Sequence, residues 1–77
     1  MSNLTNIIAR NVRRLRIERD LTIAVFSTKS SIAEDIIIEI EAGNYRPDPE
    51  EFLRLSESLG VKPSDLLSGN QENNRDI

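Results

Sequence analysis

The sequence predicts an all-α fold, a compact domain of five short helices. Apolar residues recur three or four positions apart, and no segment shows the strict alternation of a half-buried strand. Residues that start and stop helices also divide the chain at short intervals. We expect helices near residues 4–19, 22–29, 33–42, 48–59 and 63–67, in a domain of residues 1–68.

The first two helices are predicted from apolar spacing and from capping residues. The apolar face of the first helix consists of Leu4, Ile7, Ile8, Val12 and Leu15. Ser2 or Asn3 can cap its start, and Thr22 is a favourable N-cap for the second helix. Ser30 and Ser31 are expected to form the turn that follows.

The third helix contains four isoleucines. Ile37 and Ile40 lie three positions apart, and we expect both in the core, where burying each is worth roughly 1.5–3 kcal/mol. Ile36 and Ile38 cannot both join the same narrow face, so at least one should lie near the surface. Gly43 is expected to end this helix.

The last two helices are predicted from proline and glycine positions. Asp48 can cap the fourth helix with Pro49 at its first position, and Gly60 can end it. Pro63 opens the last short helix. Residues 69–77 are almost entirely polar, and we expect a disordered tail there.

The composition narrows the possible functions. At 77 residues the chain has room for one small core, and it contains no cysteine and no histidine. Disulfides and the usual zinc sites are therefore excluded, and the absence of cysteine suits a reducing cytoplasm. No apolar run approaches the roughly 20 residues that span a bilayer. We expect a cytoplasmic protein that does not enter a membrane.

The chemistry of an enzyme is not indicated. The commonest general base and the thiol nucleophile are missing, and three glycines do not form a phosphate-binding loop. Four acids of the third helix lack the spacing of a calcium loop, namely Glu34, Asp35, Glu39 and Glu41. We therefore expect no catalysis, no metal and no cofactor.

The charge is unevenly distributed along the chain. Residues 1–19 contain five arginines and one glutamate, a balance of +4, whereas the whole chain carries −3, so the remainder sums to −7. A basic first segment can meet phosphate, although a solvated helix face is the more common interpretation.

Most of the predicted domain resembles a known family. The segments VRRLRIERDLT and IEIEAGNYRPDPEEFLRLSESLGVKPSDLL resemble the lambda-repressor-like (Xre/Cro-type) helix-turn-helix domains of bacteria and phages. The resemblance runs from about Leu4 to Leu67 and places the helix-turn-helix motif at about 21–41. The most specific matches are Leu15, Arg16, Leu21, Thr22, Ile37, Ile40, Glu41, Gly43, Pro47, Leu55, Leu59, Gly60, Val61, Leu66 and Leu67.

The centre of the motif departs from the family pattern. Ile23 occupies the position of a glutamine that touches the DNA backbone, and Ser27 that of a small packed alanine. Ser31 replaces the turn glycine, where a left-handed backbone costs another residue roughly 1–2 kcal/mol. Ala24 and Val25 are apolar where charged residues are usual.

The resemblance implies a set of DNA-contacting residues. They are Thr22, Ile23, Lys29, Ala33, Glu34, Asp35, Glu39, Asn44 and Arg46. Carboxylates on the third helix can accept a hydrogen bond from a cytosine amino group, but they also repel phosphates. Alternatively, Glu34 and Asp35 only stabilise the helix dipole, by about 0.3–1 kcal/mol each. The resemblance further implies an ion pair between Arg16 and Glu41 that ties the third helix to the first.

Two functions follow from these observations. The leading one is a bacterial or phage transcriptional regulator that binds double-stranded operator DNA as a homodimer on two half-sites. The alternative is a helix-turn-helix fold that serves as a protein-binding module, an anti-repressor or a partner subunit, with weak or no DNA binding. Its motivation is an expected exposed apolar patch beside the acids, formed by Ile23, Val25 and either Ile36 or Ile38.

Overall fold

The computed structural model describes residues 3–68, and this part of the chain is all-α, as predicted. Its elements are α1 (Leu4–Glu18), α2 (Ile23–Ser30), α3 (Glu34–Glu41), α4 (Pro49–Leu59) and a 3-10 helix (Pro63–Leu67). Residues 3–68 contain no β-strand. The tail predicted at residues 69–77 lies outside the described residues. None of the described helices has the length and apolar character needed to cross a membrane.

The fifth predicted helix is a 3-10 helix, so residues 3–68 contain four α-helices rather than five. The segment has only five residues, and the backbone N–H of Asp65 bonds to the carbonyl of Lys62, three residues back, at 2.9 Å. The Asp65 carboxylate also accepts from the Lys62 backbone N–H at 2.9 Å. So short a segment gains too few α-helical bonds to offset the cost of helix nucleation, and the tighter turn is preferred.

Side-chain caps fix the starts of three helices. Asn3 caps α1, and the Thr22 hydroxyl accepts from the backbone N–H of Val25 at 3.1 Å. At α4, the Asp48 carboxylate accepts from the Glu51 N–H at 2.8 Å, and the Glu51 carboxylate accepts from the Asp48 N–H at 3.0 Å. The predicted starts of α2 and α4, at residues 22 and 48, precede the observed ones by one residue because they included the capping residues Thr22 and Asp48.

The core lies where all five elements meet. Helix α1 packs against α3 and the 3-10 helix, and α2 packs against α3 and α4. The buried apolar side chains are Ile8, Val12, Leu15, Phe26, Ile32, Ile37, Ile40, Leu55, Leu59 and Leu66. Ile37 and Ile40 are fully buried, as predicted, so α3 is anchored through one face and leaves the opposite face outside.

Two polar side chains, one in α1 and one directly after it, bond to the second half of the domain. The buried Asn11 donates its amide N–H to the carbonyl oxygen of Leu66 at 2.8 Å. Arg19 Nε donates to the carbonyl oxygen of Leu59 at 2.6 Å, at the end of α4. These bonds satisfy carbonyl groups that helix ends leave without a partner.

Candidate nucleic-acid interface

A three-residue turn connects α2 to α3. Ser31 has φ 59° and ψ 35°, so the left-handed conformation expected at this position is confirmed. Ile32 is buried in the core, and Ala33 precedes the first residue of α3. The left-handed backbone of Ser31 and the buried side chain of Ile32 therefore set the angle between the two helices.

Ser27 closes this turn with its side chain. Its hydroxyl donates to the carbonyl oxygen of Ile32 at 2.6 Å, and its own carbonyl oxygen accepts from the N–H of Ile32 at 3.3 Å. The sequence indicated only that a serine stands where the resembled domains have alanine. The hydrogen bond across the turn forms only because Ser27 of α2 and Ile32 come close together in the fold, so the sequence alone did not predict it.

The exposed face of α3 is acidic with an isoleucine at its centre. The exposed residues of this helix are Glu34, Asp35, Ile38 and Glu39. Ile38 lies four positions after Glu34 and three after Asp35, which makes it their neighbour on the helix surface. Its exposure is 52%. Helical spacing alone could have placed Ile38 among the acids, but the sequence left open whether Ile36 or Ile38 is outside.

The acids of α3 are available to other molecules. Within the described residues, none of the four salt bridges involves Glu34, Asp35 or Glu39. Ala33 supplies no side-chain cap, so Glu34 and Asp35 lie in a first turn whose positive dipole end favours carboxylates. This geometry therefore allows both explanations of Glu34 and Asp35, stabilisation of the helix dipole and contact with another molecule.

The remaining polar residues of the predicted set lie at the surface. Lys29 is exposed near the end of α2, and Asn44 and Arg46 are exposed in the loop after α3. Thr22 is exposed and uses its hydroxyl as the cap of α2.

The expectation that Ile23 forms part of an exposed patch is wrong. Ile23 and Ile36 are half-buried and pack against the core. Ile23 precedes the buried Phe26 by three positions and Ile36 precedes the buried Ile40 by four, so each shares the inner face of its helix. The exposed large apolar residues of the motif are instead Val25, at 46%, and Ile38.

Arg16 of α1 connects to both ends of the motif through its guanidinium group. Its Nε donates to Glu41 Oε2 at 2.7 Å and its Nη2 to Glu41 Oε1 at 3.0 Å, while Nη1 donates to the carbonyl oxygen of Leu21 at 2.7 Å. The Glu41 hydrogen bonds raise the pKa of Arg16 above its usual value, against the opposing effect of burial. Helix α1 is thereby joined to the end of α3 and to the segment that enters α2.

The loop after α3 is closely packed where it leaves the helix. Gly43 has φ 81°, a left-handed conformation that favours glycine, and a Cβ atom added there would lie 2.7 Å from Asn6 Oδ1, so the Asn6 side chain would have to move. The N–H of Asn44 donates to the carbonyl oxygen of Glu39 at 2.9 Å and satisfies the end of α3.

The charge around this surface is unusual for contact with phosphate. Residues 20–46 contain two cations, Lys29 and Arg46, and five carboxylates. The exposed arginines of α1 include Arg13 and Arg14, and Arg14 is partly neutralised by Glu18 at 3.4 Å. This surface therefore offers few positions for phosphate neutralisation, on which non-specific DNA affinity depends.

A protein-family model described as a helix-turn-helix domain matches residues 9–72. No curated protein sequence shows significant similarity to the chain. Three solved structures share the fold, at 17–19% identity.

The solved structures come from three bacterial sources. The restriction-modification controller protein C.AhdI from Aeromonas hydrophila is 19% identical with a TM-score of 0.77, over 80% of this chain and 94% of that one. The hypothetical transcription factor NHTF from Neisseria is 17% identical with a TM-score of 0.87, over 97% and 86%. An HTH_3 family transcriptional regulator from Vibrio cholerae is 17% identical with a TM-score of 0.82, over 90% of this chain but 39% of its own.

Proposed function

Because this chain belongs to the helix-turn-helix domain family, we propose that it is a bacterial or phage transcriptional regulator that binds operator DNA through α2 and α3. The fold shared with proteins described as a controller, a transcription factor and a transcriptional regulator supports this proposal. Binding as a homodimer to two half-sites one helical turn apart, about 34–36 Å, is part of the proposal.

The observation that carries the proposal is the presentation of α3. Its two fully buried isoleucines fix one face in the core, and the outer face carries its exposed side chains, Glu34, Asp35, Ile38 and Glu39. A single α-helix fits the major groove of B-DNA, where each base pair presents a distinct pattern of donors, acceptors and methyl groups. In this arrangement Glu34, Asp35 and Glu39 accept from cytosine amino groups, and Ala33 lies at the entry of the groove.

Phosphate contacts are assigned to the edges of the motif. Lys29, Asn44 and Arg46 are exposed donors on either side of α3, and Thr22 lies at the N-terminus of α2, where backbone N–H groups favour an anion. These contacts position the domain, whereas the α3 side chains select the sequence.

A mobility-shift titration at low salt tests this function. The probes are the duplex upstream of the protein's own gene and a random-sequence duplex library, from which bound sequences are selected. We expect one sequence to be enriched and bound. Arg46→Ala should weaken binding and reduce the salt slope by about 0.9, whereas Lys62→Ala, with the same charge change on an exposed residue outside the proposed DNA-contacting set, should leave the slope unchanged. If no sequence is enriched, operator binding is rejected.

A protein-binding module is the second candidate, and the exposure of Val25 and Ile38 favours it. Both are large apolar residues of the motif, and Ile38 shares the exposed face of α3 with three carboxylates that form no salt bridge within residues 3–68. Such a surface fits a basic protein surface with an apolar centre, as in an anti-repressor or a partner subunit. In that case Ile38→Asp should abolish the complex while the helical content persists, since a charge in a desolvated interface is costly. Sequence-specific DNA binding by the unmodified protein would reject a protein-only role.

A further inference from the structure

Glu51 holds two parts of the chain at once. Its carboxylate oxygens each lie 3.0 Å from the Tyr45 hydroxyl, which donates to them, and Oε1 also accepts from the N–H of Asp48 at 3.0 Å. The first turn of α4 is thus bonded both to its own cap and to the middle of the preceding loop. The sequence predicted the capping residue but gave no indication of the contact with Tyr45.

The loop of residues 43–47 is fixed at both of its ends. At the α3 end, Gly43 packs under Asn6, and the Asn44 N–H is bonded to Glu39. At the α4 end, Pro47 is buried. The half-buried ring of Tyr45 packs against the core between these points.

The two residues that flank Tyr45 are the exposed Asn44 and Arg46. Since Asn44 and Arg46 are the chain neighbours of Tyr45, anchoring the Tyr45 side chain inward restricts the backbone that carries both of them. If the loop is already ordered in the free protein, the binding free energy is not reduced by the entropy cost of ordering it.

We propose that Tyr45 and Glu51 are positioning residues that hold the 43–47 loop in the conformation in which Arg46 contacts a DNA phosphate. The inference rests on the proposed function, because the ligand is the phosphate backbone of the operator. Neither residue touches DNA. Arg46 makes the contact, and the Tyr45–Glu51 hydrogen bonds keep its backbone in place.

The Tyr45 hydroxyl contributes little to the packing of the domain or to the capping of α4. A phenylalanine ring would pack against the core equally well, and the first turn of α4 is capped by Asp48 and Glu51 without Tyr45. The bond between hydroxyl and carboxylate therefore acts mainly on the loop.

The test is a double-mutant cycle on the duplex selected from the library. Wild type, Tyr45→Phe, Arg46→Ala and the double variant are titrated at several salt concentrations, and the melting temperature of each is measured. We expect Tyr45→Phe to weaken binding about two- to fivefold, the loss associated with one modest hydrogen bond, and to lower the salt slope. In the Arg46→Ala background the same change should have no further effect.

A matched pair on α4 gives an independent readout. Glu50 and Glu51 are adjacent carboxylates in the first turn, but within residues 3–68 the Glu50 side chain bonds only to Arg54, at 2.6 Å, on its own helix. Removing either acid should favour DNA by the same change in charge. We expect Glu50→Ala to bind as well as wild type or better, and Glu51→Ala to bind less well.

The possible results separate this inference from the proposed function. If wild type binds in an Arg46-dependent way but Tyr45→Phe binds equally well, or loses affinity equally with and without Arg46, the positioning role is overturned and the regulator remains. If wild type selects no duplex at all, both are overturned.

Discussion

Arg16 and Glu41 form a two-point ion pair between α1 and the last residue of α3, with donor–acceptor distances of 2.7 and 3.0 Å. The Arg16 side chain is 14% exposed and that of Glu41 is 8% exposed, so both charges are largely withdrawn from water. A planar guanidinium is well suited to such a bidentate contact. The orientation of α3 relative to the rest of the domain therefore depends on a buried charge pair.

Glu41→Ala should destabilise the domain far more than Glu39→Ala. Removing Glu41 leaves the Arg16 charge buried without its carboxylate, at a cost of about 3–5 kcal/mol, whereas the exposed Glu39 should matter by no more than about 0.5 kcal/mol. Thermal unfolding followed by circular dichroism measures both variants. If the two variants melt at the same temperature, the ion pair between Arg16 and Glu41 does not contribute to stability.

The parts of the fold that the sequence predicted are those governed by local spacing. Ile37 and Ile40 were placed in the core because they lie three apart, and Asp48, Pro49 and Gly60 marked the ends of α4. These features depend on residues within one or two helical turns, so they can be inferred before the tertiary structure is known.

Ser31→Gly should stabilise the domain by up to about 1 kcal/mol. Glycine relieves the left-handed strain of roughly 1–2 kcal/mol, but part of this gain is offset by the greater freedom of the unfolded chain. Ser30→Gly is the control, because Ser30 is helical and its hydroxyl bonds to the carbonyl of Phe26 at 2.8 Å. That variant should lose about 0.5–1 kcal/mol from its helical position alone. Urea unfolding that shows the two changes to be equally destabilising would contradict this account of the turn.

Tyr45 should titrate above the ordinary tyrosine value of about 10. The hydrogen bond to Glu51 is the main cause of its raised pKa, followed by burial and by the charges of Glu51 and Asp48. Since the folded pKa is the higher one, the stabilising contribution is present below about pH 10 and is lost as the pH rises through the folded value. The chain has one tyrosine and no tryptophan, so tyrosinate absorbance reports this group directly. Glu51→Ala should return the midpoint toward 10, and an unchanged midpoint would mean that the bond is not formed in solution.

The sequence could not supply contacts that join segments distant along the chain. The Asn11 bond to Leu66 and the Arg19 bond to Leu59 each link residues far apart in sequence. Ile23 was expected at the surface because it occupies a DNA-contacting position of the resembled family. Its burial follows instead from its spacing, three positions before the buried Phe26. The acidic surface of α3 was predicted. The position of Ile38 at its centre was not, because the sequence did not decide whether Ile36 or Ile38 packs against the core.

Ile38 should read the methyl group of a thymine. Replacing single thymines of the selected duplex with uracil removes only that methyl group, and burying one is worth about 0.8 kcal/mol, or roughly fourfold in affinity. We expect one position at which wild type loses this amount and Ile38→Ala loses nothing. Ile17→Ala should retain the wild-type sensitivity, since Ile17 is exposed to a similar extent, 49%, on α1. Sensitivity at no thymine, or equal sensitivity in Ile38→Ala, would show that Ile38 does not contact a base.

The most direct measurement is a titration of the Glu34→Gln/Asp35→Asn variant against the selected duplex and a mixed-sequence duplex at low salt. Removing two negative charges from a surface that meets DNA should strengthen binding to the mixed-sequence duplex, and losing the acceptors for cytosine should reduce the preference for the selected one. A control with the same charge change on α4, Glu50→Gln/Glu57→Gln, should keep the wild-type preference. If the unmodified protein and the Glu34→Gln/Asp35→Asn variant both fail to bind either duplex, or if both variants keep the same preference, α3 is not the surface that reads DNA.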